Sequence, residues 1–235
     1  MISLKKELAV VLVEPEYEEN IGYAARAMAN FSLQKLILVN PKAPHYSGLT
    51  RSRAMHGRHI LKNAKKCSSL EEALKGYSFS IATTAKLSKY DKAKRSALSL
   101  EEAAKRFSGK TKIALVFGSE KNGLTNEQLA VCDSLAHIPA SKEYSTFNLS
   151  HAVAISLYEF SKNHKKLSSK AVKKQTKDLL LNRFKSLIYE GEKIRNKEET
   201  FKSFRAMVAR SLITEKETKS IIAVFTGVLK GLKRK

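Results

Sequence analysis

The sequence predicts an α/β fold: a parallel sheet with helices on both faces, followed by a small helical domain at the C-terminal end. Three observations predict it. Over the first two thirds of the chain, short apolar runs of strand length alternate with segments whose apolar residues recur at helical spacing, the pattern of strand and crossover-helix units. Several of those runs stop at glycine, proline or small hydroxyl residues, where a buried parallel strand opens into a loop. After Phe160 the composition shifts to lysine-rich polar sequence and then to helical stripes with no strand between them. The expected division is an α/β domain over residues 1–161, a linker over 162–177 and a helical domain over 178–235.

Residues 8–13 form the first apolar run, broken by the acidic turn Glu14-Pro15-Glu16. Asn20 is placed to cap the next helix, along which Ile21, Ala24, Ala25, Met28 and Phe31 recur at helical spacing. Arg26 lies off that stripe, and taken alone it reads as a solvated charge. Residues 35–40 are the second strand, closed by Pro41. Residues 42–63, rich in Pro, His, Arg and Gly, predict a loop and a short helix over 51–59. Arg51, Arg53 and Arg58 make this stretch either an RNA-facing surface or a basic surface with no dedicated partner.

Ser69 with Glu72, and Ser99 with Glu102, are capping boxes opening two short helices. Between them residues 79–82 are a strand that ends at Thr83-Thr84-Ala85 and continues into a basic loop over 86–95. The apolar run 113–117 stops at Gly118, and Thr125 with Gln128 caps the helix that follows. A further strand over 135–138 meets Pro139, and a long helix begins near Asn148 or Leu149. Segments 178–190, 197–210 and 214–232 then read as three helices, whose aromatic residues Phe184, Phe201, Phe204 and Phe225 are expected to pack a core.

Lysine and arginine number 44 against 22 acidic residues, a formal charge of +22. Such an excess points to a polyanion, with RNA or DNA favoured over an anionic membrane. No apolar run is long enough to span a bilayer and the first residues lack a signal core, so a cytoplasmic protein is expected. Cys67 and Cys132 have no paired spacing and read as reduced thiols in or near the core; the six histidines form no metal-ligand pattern, so no metal is expected.

Read together, the segments Phe-Gly-Ser-Glu-Lys-Asn-Gly-Leu at 117–124, Ile138-Pro139, and Tyr-Ser-Thr-Phe-Asn-Leu-Ser-His-Ala-Val-Ala at 144–154 resemble the second and third motifs of the SPOUT RNA methyltransferases, in their SpoU/TrmH branch. The first motif of that branch, a strand followed by Asn-x-Gly-x-x-x-Arg, is matched by residues 8–13 with Asn20, Gly22 and Arg26. The resemblance implies a SPOUT fold with a deep trefoil knot in the C-terminal part of the domain, an exception to the rule against knots. It also implies a homodimer with the site shared at the interface, for which Ala152, Ala154 and Ile155 offer a small apolar helix face. The helical tail resembles that of family members that methylate the ribose of tRNA at nucleotide 32 of the anticodon loop, on cytidine and uridine.

The chemistry implied is methyl transfer from S-adenosylmethionine to a ribose 2′-hydroxyl, an in-line displacement that needs donor and oxygen held collinear. By motif position, Thr83, Thr84, Ala85, Gly118, Ile138, Ser145, Thr146, Phe147 and Asn148 would hold the cofactor. Phe147 stands where leucine is common in the family, which keeps an apolar wall and alters the packing on adenine. Arg26 would act on the 2′-hydroxyl, as an electrostatic stabiliser because arginine does not deprotonate in proteins. Asn20, Ser150 and Tyr144 are further positioning groups, each of which could instead be a cap or a loop bond. Glu120 is read as holding the loop or a partner arginine. The alternatives are a ribosomal RNA 2′-O-methyltransferase and an RNA-binding protein of SPOUT-like fold without catalysis.

Overall fold

A computed structural model describes residues 8–85, 97–107, 112–162, 172–191, 194–211 and 213–232. The expected basic loop 86–95 and most of the expected linker, residues 163–171, lie outside them. The chain divides into two compact units, Met1–Lys166 and Leu167–Lys235.

In the first unit, strands β1 (Leu8–Val13), β2 (Lys35–Val39), β3 (Lys65–Cys67), β4 (Phe79–Thr83), β5 (Leu98–Ser99), β6 (Ile113–Phe117) and β7 (Ser134–His137) form one sheet in the order β3-β2-β1-β6-β4-β7-β5. Every described strand pairing is parallel. Side chains alternate across the pleat, and β1 shows how this builds two layers. Leu8, Val10 and Leu12 face one core, shared with helices α1 (Glu18–Asn30), α3 (Arg58–Lys62), α5 (Leu100–Phe107) and α7 (Leu149–Lys162). Ala9, Val11 and Val13 face a second core closed by α4 (Leu70–Leu74) and α6 (Asn126–Val131). The short helix α2 (Gly48–Ala54) joins α3 through a 3-10 turn at Met55–Gly57.

The five expected strands and their helices are present, with differences at the ends. β3 and β5 were not expected. They are three- and two-residue strands at the two sheet edges, and no apolar run announces them. Asn20 does not cap α1: Tyr17 holds the cap position without a side-chain bond, and Asn20 lies buried inside the first turn. The helix expected over 51–59 begins earlier and is split where Met55 takes a positive φ of 50°. Thr125 and Gln128 form a full capping box, and so do Ser99 and Glu102. At α4, Ser69 caps Glu72 N–H, whereas the Glu72 carboxylate accepts from Ser68 instead.

The second unit contains α8 (Lys174–Glu190), α9 (Lys197–Arg210) and α10 (Glu215–Leu232). Phe184 stacks on Phe204 at 3.7 Å, and Phe225 meets them at 5.7 and 6.0 Å. These aromatics pack on one another, as expected for a core. Leu180, Ile188, Val208 and Leu229 are buried in this unit, and the three rings are half-buried.

Candidate active site

The carboxyl ends of β4 and β6, and the loop after β7, surround a cavity of about 300 Å³, placed where open α/β sheets take ligands. Thr83, Thr84, Ala85, Gly118, Ile138, Ser145, Thr146 and Phe147 all line it, so eight of the nine residues grouped from sequence share one cavity. Its volume lies at the lower end of small-molecule sites. The remaining lining comes from Phe117, Ser119 to Leu124, Leu129, Leu149 and Ala152.

The wall is made largely by backbone. At Gly118 a Cβ would sit 2.1 Å from the Gly123 carbonyl carbon and 2.3 Å from Leu124 N, so only glycine lets the β6 loop fold back on itself. Gly123 N–H donates to Ser119 O at 2.9 Å and closes that loop. Thr83 donates its hydroxyl to Val116 O at 3.1 Å, and Thr84 N–H donates to Ala136 O at 3.0 Å. The cradle is thereby fixed by bonds between neighbouring strand ends. Small side chains around a backbone-walled cavity beside an aromatic ring suit a nucleoside-bearing cofactor such as S-adenosylmethionine.

Asn148, the ninth residue, is absent from the lining because its side chain is committed elsewhere. Its Nδ2 donates to Asn20 Oδ1 at 2.9 Å, and its Oδ1 accepts from Ser150 N–H at 2.9 Å and from the Ser150 hydroxyl at 2.7 Å. Asn148 therefore caps α7. Asn20 in turn donates from Nδ2 to Glu120 Oε1 at 2.8 Å. The other Glu120 oxygen accepts from Glu16 N–H at 2.9 Å, and Oε1 also takes Tyr17 N–H at 3.4 Å. One chain of bonds thus joins the β6 loop, the start of α1 and the start of α7. Asn20 and Ser150, read from the sequence as positioning groups, have their polar atoms engaged inside this network, and both are buried. Glu120 holds the chain before α1.

Arg26 stands exposed on α1, off the cavity lining. The basic segment packs directly against its helix: a Cβ on Gly22 would lie 2.5 Å from Thr50 O and 2.7 Å from Arg53 Cβ. Glu18 accepts from the hydroxyls of Ser47 and Thr50, fastening α1 to the N-terminus of α2. Arg58 Nε donates to Arg51 O at 3.1 Å. Arg26, Arg51, Arg53 and Arg58 form no ion pair among the described residues. Tyr144 is 80% exposed and does not line the cavity.

Sequence reasoning missed the role of Gly22 and the reach of Glu120 to Glu16 and Tyr17. Both are contacts across the fold, and no local spacing signals them. Among the described residues no group of His, Cys, Asp and Glu could hold a metal, and no helix is long and apolar enough to cross a membrane. Cys67 and Cys132 are both buried.

The model of the SpoU rRNA Methylase family matches residues 7–158. A Methanocaldococcus jannaschii protein named tRNA (cytidine-2′-O-)-methyltransferase TrmJ is 36% identical over 226 residues, covering 93% of this chain and 98% of that protein. Among solved structures, TrmJ from Z. mobilis ZM4 superposes with a TM-score of 0.71 at 24% identity, covering 94% of this chain and 98% of that one. The SpoU methyltransferase AviRb from Streptomyces viridochromogenes, in complex with the cofactor AdoMet, shares the fold with a TM-score of 0.55 at 20% identity, over 67% of this chain and 58% of that one. With the family model matched over well more than half of this chain and a near-full-length relative 36% identical, the chain belongs to the SpoU methylase family and is an S-adenosylmethionine-dependent RNA methyltransferase.

Proposed function

We propose that this enzyme methylates the ribose 2′-hydroxyl of tRNA at nucleotide 32 of the anticodon loop, on cytidine and also on uridine. The observation that carries the reading is the bond chain Glu120–Asn20–Asn148–Ser150, which ties the helix bearing Arg26 to the loops lining the cavity. The relative named for tRNA cytidine 2′-O-methylation matches along nearly the whole chain, tail included, and supports the substrate class. A ribosomal RNA target is the second reading, favoured by the description of the family model.

When bound, S-adenosylmethionine supplies an electrophilic methyl group on a sulfonium. The loops at Thr83–Ala85, Gly118–Leu124 and Ser145–Phe147 hold and orient it and exclude water. Arg26 faces the RNA, grips a phosphate beside the acceptor and stabilises the negative charge developing on the 2′-oxygen. A guanidinium stays protonated throughout, so the hydroxyl proton leaves to another acceptor. Asn20, Asn148 and Ser150 fix the position of α1 relative to the cofactor loops. In this reading the segment from β6 through α7 is threaded as a trefoil knot, and two copies pair through the α7 face that carries Ala152, Ala154 and Ile155.

Single-turnover methylation of saturating unmodified tRNA, with the product mapped by nucleotide, tests this. Arg26→Ala is expected to lower the rate about a hundredfold or more while S-adenosylmethionine affinity holds, and Arg26→Lys is expected to rescue little. Methylation of ribosomal RNA alone, or a wild-type rate for Arg26→Ala, would overturn the reading.

A further inference from the structure

Large apolar side chains stand exposed along one stretch of the first unit: Tyr23 on α1, Tyr46 ahead of α2, Leu49 on α2 and Met55 at the kink after it. Arginines are interleaved with them. The Arg53 guanidinium lies over the Tyr23 ring at 5.9 Å and the Arg51 guanidinium over the Tyr46 ring at 5.2 Å. Even so, the two tyrosines remain 39% and 38% exposed. Tyr23 and Arg26 are three residues apart on α1, which sets them on the same helix face.

The arrangement is built by close backbone approach. Gly22 lets Arg53 lie against α1, and a Cβ on Gly57 would meet Ala25 O at 2.6 Å and Arg26 N at 3.0 Å. Arg53 and Arg58 are thereby brought beside the turn of α1 that carries Tyr23 and Arg26. Each guanidinium held over a tyrosine has no carboxylate to neutralise it among the described residues, so its charge is open to an anion.

We propose that Tyr23 and Tyr46, each backed by its arginine, are stacking platforms for unpaired nucleobases of the RNA substrate next to the methylated nucleotide. The proposal rests on the RNA-methylating function above and adds to it the way the strand is held. Arg51, Arg53 and Arg58 take the phosphates, which carry no sequence information. The two rings take base faces, which only a single-stranded segment offers. A formal charge of +22 and arginines beside the rings that pair with no carboxylate among the described residues favour RNA over an apolar protein face as the occupant.

The test is equilibrium binding of unmodified tRNA, and of a duplex RNA without loops, across a range of salt concentrations. Tyr23→Ala and Tyr46→Ala are each expected to weaken tRNA binding by roughly tenfold with an unchanged salt slope, because a ring carries no charge. Tyr→Phe at either position keeps the stacking face and stays close to wild type, and duplex affinity is unaffected by either alanine. Arg53→Gln lowers the salt slope by about one ion. S-adenosylmethionine affinity and the mass in solution, measured on every variant, are expected to stay at wild-type values. The platform is overturned if the alanine variants bind tRNA like wild type, if Phe is as damaging as Ala, or if the alanines change the mass in solution, which makes the rings a contact between protein chains. If the wild-type protein binds no RNA, the functional reading fails first and the platform falls with it.

Discussion

Glu120 satisfies three N–H donors with one carboxylate, two of them backbone groups of Glu16 and Tyr17. Glu120→Gln replaces one accepting oxygen by a donor facing donors, which is expected to lower unfolding free energy by about 1–3 kcal/mol and to weaken S-adenosylmethionine binding. Asn148→Ala removes the cap of α7 and is expected to cost about 1 kcal/mol. Because the two side chains belong to one bond chain through Asn20, the double variant is expected to cost less than the sum, with a coupling above about 0.5 kcal/mol. Denaturant unfolding of the three variants measures it, and strict additivity would separate the two ends of the network. The residue types of this network were legible in the sequence, since Asn20, Glu120, Asn148 and Ser150 were all singled out. Their partners were not: Asn20 reaches Glu120 across 100 positions and Asn148 across 128, far beyond any local spacing, so a buried positioning group read as a helix cap.

Helix starts are legible where a full capping box marks them, as at Ser99 and Thr125, because the box is complete within four residues; the starts of α1 and α2 carry none and are not. Ser99 donates to Glu102, Ser68 to Glu72 and Thr214 to Glu217, while Thr176 and Lys173 N–H donate to Glu215. These hydrogen bonds hold all four carboxylates below their ordinary titration range. A carboxylate depressed on folding adds stability above its unfolded value, and that stability is lost as pH falls through the lower folded value. Thermal stability is therefore expected to fall below about pH 4, less steeply in Glu102→Gln than in wild type. The edge strands β3 and β5 were not legible, since their pairing is dictated by β2 and β7 and not by any apolar run of their own. Packing between α1 and α2 was equally hidden. Gly22→Ala puts a methyl against the Thr50 carbonyl and is expected to weaken tRNA binding through displaced Arg53 while leaving the cavity, built from other elements, able to take the cofactor. Calorimetry with each ligand separates the two effects.

All residues lining the cavity belong to the first unit. A chain cut after Lys166 is expected to fold, bind S-adenosylmethionine like the full protein and methylate tRNA poorly. Normal methylation by the truncated chain would remove the tail from substrate recognition. The sheet order has one more consequence, for the protein as it is being made. β1 lies between β2 and β6, pairing Leu8 with Ile113 on its second edge. While the ribosome adds the roughly one hundred residues that separate them, this fully apolar strand has an open edge. At about 5–20 residues per second the exposure lasts on the order of 5–20 s, long enough for an unpaired edge to template aggregation. Docking of α1 on the face of β1 leaves that edge open, so the closing step of this sheet waits for β6, well before the first molecule of cofactor has anywhere to bind.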